Sequence, residues 1–141
     1  MNMIPGPDAP RLRAQLLIWW IIWAAILAGQ ILSYCFLGRG PLAPPAPGAN
    51  PFLNLVGFVP LFVSIIIRWL ALPRATDPKA AFVMFIVGLA LADACGLLGI
   101  FLGGVYREDF FVLGVLGIAQ YVPFYARKFY EPKGSGFIPN N

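Results

Sequence analysis

The 141-residue sequence has no histidine, only two cysteines and few charged residues, which make up 11% of the chain. Without histidine, the chain cannot form His-ligated metal or haem sites, Ser–His triads or histidine proton relays. Cys35 and Cys95 lie in separate apolar segments and outside any CxxC motif, so we expect buried free thiols. The charged fraction is below half of the roughly 25% found in soluble domains, whereas 60% of the residues are hydrophobic. The composition argues against a soluble enzyme and indicates an integral membrane protein.

Four segments approach the roughly 20 apolar residues that a transmembrane helix needs. They cover residues 15–38, 52–72, 80–104 and 110–126. The fourth segment is the shortest, and an interfacial or re-entrant helix is the alternative for it. Asp77 before Pro78 is a typical helix start, with a capping acid followed by proline at the first helical position. The sequence therefore predicts an all-α membrane protein, an antiparallel bundle of four transmembrane helices in residues 15–126, with a tail at 1–14 and a flexible tail at 127–141.

The basic residues predict the orientation of this bundle. With the N-terminus inside, eight Lys and Arg residues lie on the cytoplasmic side, and only Arg39 and Arg107 lie outside. This bias follows the positive-inside rule and predicts that both termini are cytoplasmic. A three-span arrangement would place the basic C-terminal cluster outside and would weaken the bias. We expect a multi-pass protein of a bacterial inner membrane, with the lipid bilayer and not nucleic acid as its charged partner.

Asp93 lies near the middle of the third segment, where a carboxylate costs about 2.5 to 3.5 kcal/mol. Such a residue is a functional-site candidate by default. Gln30 in the first segment and Gln120 in the fourth lie at a comparable depth. One interpretation is a protonated Asp93 that hydrogen-bonds to either glutamine and fixes the bundle. The second is a proton- or ion-binding carboxylate, and the third is a contact with another subunit.

Small residues form a stripe on one face of the same segment. At 100° per residue, this face carries Gly88, Ala92, Gly96, Gly99 and Gly103. Such a stripe allows another helix to approach closely. We therefore expect a protein partner, or a second copy of the chain, to pack against the small-residue face of the third span.

Residues 74–104 resemble the carboxylate-bearing helix of the rotary ATP synthase c subunit, in which a polar loop with an arginine precedes a helix with small residues around a central acid. Arg74 matches the loop arginine and Asp93 the ion-binding carboxylate. The matching small residues are Gly88, Ala90, Ala94 and Gly99. The second segment lacks the glycine ladder of the paired helix in that family. The resemblance is therefore local, and it implies proton or cation binding at Asp93 rather than membership of the family.

These observations favour a non-enzymatic structural or accessory subunit of an inner-membrane assembly, without a cofactor or a metal. The alternative is a proton- or ion-coupled transport component that uses Asp93. A membrane enzyme is a third hypothesis. The charged residues available to it, Arg107 to Asp109 and Arg68 to Lys79, are explained more simply as the ends of helices.

Overall fold

The computed structural model describes residues 9–41, 56–102 and 104–130 of the chain. Within them the chain consists of helices and turns, without a β-strand. The α-helices are α1 (Ala9–Leu37), α2 (Val59–Ile66), α3 (Pro78–Leu102), α4 (Arg107–Ala119) and α5 (Arg127–Tyr130). A π-helical turn (Ile67–Ala71) and a 3-10 turn (Leu72–Arg74) extend α2, while 3-10 turns at Gly104–Tyr106 and Pro123–Ala126 precede α4 and α5. The all-helical prediction is confirmed.

Three stretches of the described residues are long and apolar enough to cross a membrane. They are Arg11–Leu37, Pro78–Leu102 and Gly104–Tyr130, and they overlap the first, third and fourth predicted spans. The second predicted span is described from residue 56 onward, where helical turns continue from Val59 to Arg74; residues 52–55 lie outside the described residues. Large apolar side chains such as Phe36, Phe62 and Phe101 are exposed on the helices, as expected of a surface that meets hydrocarbon.

The ends of the outer helices differ from the predicted tails. Helix α1 begins at Ala9 rather than at residue 15, and α5 extends helical structure to Tyr130. Residues 1–8 and 131–141, the remainder of the two predicted tails, lie outside the described residues. The start of α3 follows the predicted pattern, because Pro78 is its first residue and the Ala80 N–H donates to Asp77 Oδ2 at 2.9 Å. The predicted cap is confirmed.

Helix α3 is central, and α1, α2 and α4 all pack against it. The contact with α4 is the closest, since a Cβ added at Gly114 would lie 2.8 Å from the backbone of Gly96. Gly104, with φ of +50°, turns the chain between α3 and α4, in a conformation that favours glycine. The larger apolar cluster surrounds Trp19, and a smaller one contains the stacked rings of Phe58 and Phe110, 4.1 Å apart.

Candidate functional site

Asp93 lies in the middle part of α3, where its side chain is half-buried. No hydrogen bond or ion pair joins its carboxyl group to any described residue. Val87 and Ala90, which precede Asp93 by six and three residues, are exposed and apolar. The carboxyl group therefore lies at the flank of α3, between its buried face and its exposed face.

Gln30 is the most deeply buried polar side chain near Asp93. Only 1% of its surface is exposed, and neither its amide nitrogen nor its amide oxygen has a hydrogen-bond partner. The amide occupies the space that a Cβ would fill at Gly96 of α3 and at Gly114 of α4. Helix α1 therefore inserts an amide where these two helices meet at glycine.

Asp93 and Gln30 lie along the same contact between α1 and α3. Gly96, which receives the Gln30 amide, is three residues beyond Asp93, and residues three apart are neighbours on a helix surface. The structure contains no hydrogen bond between the two side chains. Two polar groups without a partner among the described residues thus lie about one helical turn apart within an apolar bundle.

Gln120 belongs to a different cluster. It follows the last residue of α4, where its backbone oxygen accepts from Arg68 Nε at 2.6 Å and its Oε1 accepts from Trp69 Nε1 at 3.1 Å. The neighbouring Tyr121 contacts Gly88, which precedes Asp93 by about 7.5 Å along the axis of α3. Gln120 does not hydrogen-bond to Asp93, and the expected common depth does not bring the two residues together.

The described part of the small-residue face of α3 is covered by other segments of the chain. Gly88 contacts the Tyr121 hydroxyl, Gly96 contacts Gln30, and Gly99 contacts Phe110. Ala92 lies opposite Gly117, where an added Cβ would be 3.1 Å from that of Ala92. Gly103 lies outside the described residues. A partner helix expected on this face would find its described part occupied by α1, α4 and Tyr121, because the glycines pack the bundle internally.

A buried Ser64–Tyr121 pair joins α2 to α3 and to the turn after α4. Ser64 Oγ donates to the Gly88 oxygen at 2.8 Å, and the Tyr121 hydroxyl donates to the Ser64 backbone oxygen. The π-helical turn begins at Ile67, three residues after Ser64, and the Leu72 N–H donates to the Ile67 oxygen. Ser64 and Tyr121 thus bond to each other, and neither bonds to Asp93.

The described residues bring together no cluster of metal-ligating side chains. The described residues contain no group of three or more acidic or cysteine side chains that could hold a metal ion, and Cys35 and Cys95 are both free. Comparison of the chain with models of protein families, with curated protein sequences and with solved structures gave no match.

Proposed function

We propose that the chain forms an antiparallel bundle of four membrane-spanning segments, with both termini on the cytoplasmic side. Residue pairs support the antiparallel order. Between α3 and α4 the partners run in opposite directions, from Gly88–Tyr121 to Gly99–Phe110. Between α1 and α3 the residue numbers of the contacting partners increase together, from Trp19–Phe82 to Gln30–Gly96, so these two helices are parallel. Between the second and fourth segments the residue numbers also increase together, from Phe58–Phe110 to Ser64–Tyr121.

Within this bundle the chain acts as a non-enzymatic structural or accessory subunit of an inner-membrane assembly. The half-buried Asp93 without a described partner is the observation that carries this function. A carboxyl group facing hydrocarbon is costly, and a hydrogen-bond donor from a neighbouring subunit would remove that cost. Because other segments of the chain cover the described part of the small-residue face of α3, the partner contacts the flank that carries Asp93.

Native electrophoresis of the detergent-solubilised membrane tests this function. The wild-type chain, of 15.4 kDa, should migrate in a larger complex, and Asp93→Leu should release it as a monomer. Asp93→Asn, which keeps hydrogen-bonding atoms, should retain part of the complex. Asp109→Asn, at an exposed acid in the first turn of α4, is the matched control. A wild-type chain that migrates alone contradicts the proposal.

Gln30 favours a second candidate function, a proton- or ion-coupled transport component that uses Asp93. The buried Gln30 oxygen lacks a donor and would accept from a protonated carboxyl group or contribute to binding a cation. The local resemblance of residues 74–104 to the ATP synthase c subunit points to the same chemistry. Dicyclohexylcarbodiimide, which attacks protonated carboxyl groups in membranes, should label Asp93, and the bound ion should slow this labelling. An absence of labelling at every pH contradicts this second function.

A further inference from the structure

A groove of about 420 Å³ opens between the first half of α1 and the start of α3. Gln15, Ile18 and Trp19 line it from α1, and Lys79, Phe82 and Val83 line it from α3. Because Trp19 pairs with Phe82 and Gln30 with Gly96, both helices run in the same direction from this end. The groove therefore descends between two helices that enter the membrane together.

The inner part of the groove is apolar. Ile18 and Val83 are exposed on its two sides, and Trp19 is almost fully buried beneath it. The one polar atom of the indole is already used, since Trp19 Nε1 donates to the Tyr130 hydroxyl at 3.3 Å. These walls suit hydrocarbon rather than a polar ligand.

The rim of the groove is cationic. Lys79 is exposed there, and Arg11, also exposed, lies four residues before Gln15 and hence on the same face of α1. Neither cation forms an ion pair with a described carboxylate. The nearby Asp77 already accepts the Ala80 N–H as the cap of α3. An anion at the rim would therefore meet two positive charges.

We propose that this groove binds one anionic phospholipid of the surrounding bilayer. Its phosphate lies at Lys79 and Arg11, and the upper part of one acyl chain lies between Ile18 and Val83. The charge of the rim complements the headgroup, while the apolar walls complement the chain. A soluble phosphate would use the rim and leave the walls exposed, so the combination selects a lipid.

Native mass spectrometry of the full-length chain in detergent tests this site. Phosphatidylglycerol and phosphatidylcholine with identical acyl chains are added in turn. One phosphatidylglycerol should bind in clear preference to phosphatidylcholine. Each of Arg11→Gln and Lys79→Gln should lower this preference about five-fold, the usual contribution of one basic residue near an anionic lipid. Arg74→Gln, at an exposed cation that does not line the groove, should leave it unchanged.

Val83→Trp fills the groove and should abolish the binding of this lipid. Val87→Trp is its matched control, because Val87 is exposed one turn further along α3 and does not line the groove. If Val83→Trp fails to fold, the two charge variants still decide the outcome. Equal binding of the two lipids, retention of the lipid by a folded Val83→Trp, or displacement by glycerol phosphate alone would overturn the proposal.

Discussion

At the scale of single residues, Gln30 shows how an amide and two glycines determine a helix contact. Its amide lies where Gly96 and Gly114 provide no Cβ, and its own polar atoms lack partners. The two glycines differ in what an added methyl group would meet. At Gly96 its three nearest atoms all belong to the Gln30 side chain, whereas at Gly114 it also lies 2.8 Å from the Gly96 backbone.

Because of this difference, we expect Gln30→Ala to restore the stability of Gly96→Ala but not that of Gly114→Ala. Gly96→Ala and Gly114→Ala should each lower the free energy of unfolding by about 1 to 3 kcal/mol, since each overpacks the core. In the Gln30→Ala background, the cost of Gly96→Ala should fall below about 1 kcal/mol, because residues in contact are coupled. The cost of Gly114→Ala should persist. Unfolding in detergent, followed by circular dichroism, measures the free energies of the wild type, the three single variants and the two double variants.

Gly29→Ala is the matched control for this series, since nothing lies within 4 Å of a Cβ added there. It should leave the free energy of unfolding unchanged within about 0.5 kcal/mol. Equal rescue of both glycine variants by Gln30→Ala would show that the backbone contact between α3 and α4 does not limit the packing.

The sequence could predict which polar residues belong to the candidate site, but not which of them lie together. Asp93 and Gln30 could be singled out because polar side chains are costly in an apolar segment. Their depth could be estimated from the helical rise. Depth does not specify the direction of a side chain, however, so Gln120 could be placed level with Asp93 although it bonds to Arg68 and Trp69. The glycines that receive Gln30 are identifiable as small residues, but which helix covers them depends on the packing of the whole bundle.

At the scale of the helices, the fourth segment is interrupted and a residue of the second segment compensates for the interruption. Helix α4 ends at Ala119, before Pro123, which has no N–H to donate. The Phe124 N–H binds the Val122 oxygen instead of the Gln120 oxygen that a regular helix would offer it. Arg68 Nε donates to this Gln120 oxygen. The guanidinium also lies 5.0 Å from the ring centre of Tyr125.

Arg68 should therefore stabilise the contact between the two segments. Arg68→Met should lower the free energy of unfolding by about 2 to 3 kcal/mol, because it leaves a carbonyl group without its charged donor and removes a cation–π contact. Arg68→Lys, which keeps the charge but not the planar guanidinium, should recover only part of this loss. The exposed Arg74 provides the control variant Arg74→Gln, expected within about 0.5 kcal/mol of wild type.

A double-mutant cycle with Pro123→Ala distinguishes this bond from a general effect of the charge. If Pro123→Ala lets α4 continue, the Phe124 N–H can take the Gln120 oxygen, and Arg68→Met should then cost less. Additive losses for the two substitutions would mean that Arg68 does not act through the Gln120 carbonyl group.

Helix ends with local signals could be predicted, and those that depend on tertiary contacts could not. The start of α3 is determined by two adjacent residues, because the Asp77 side chain accepts a hydrogen bond from the first turn and Pro78 has a fixed φ. The π-helical turn at Ile67–Ala71 contains Arg68 among apolar residues, and no residue type in it specifies a π-helix. The Ser64 oxygen just before this turn is bonded by Tyr121 of another segment, a contact that the local sequence does not contain.

At the scale of the whole molecule, the topology depends on whether the second segment crosses the membrane. Phe58 stacks on Phe110 in the first turn of α4, whereas Lys128 Nζ lies 3.4 Å from the Pro73 oxygen beside α5. The second segment therefore reaches from one end of the fourth segment to the other. At 1.5 Å per residue, residues 58–74 cover about 24 Å of the roughly 30 Å hydrocarbon layer, and residues 52–55 lie outside the described part.

If the second segment crosses, both termini lie on one face of the membrane; if it does not, they lie on opposite faces. Single cysteines introduced by Asn2→Cys, Thr76→Cys and Asn140→Cys, in a chain with Cys35 and Cys95 replaced by alanine, should all react with an impermeant maleimide only after the membrane is opened. Glu108→Cys, in the first turn of α4, should react in intact cells. If the second segment does not cross, Thr76→Cys and Asn140→Cys should instead react from outside while Glu108→Cys stays protected, and that pattern would exclude the four-span bundle. Only an even number of crossings places all eight basic residues assigned to the cytoplasm on one side, as the positive-inside rule favours. We therefore expect Glu108→Cys alone to react in intact cells.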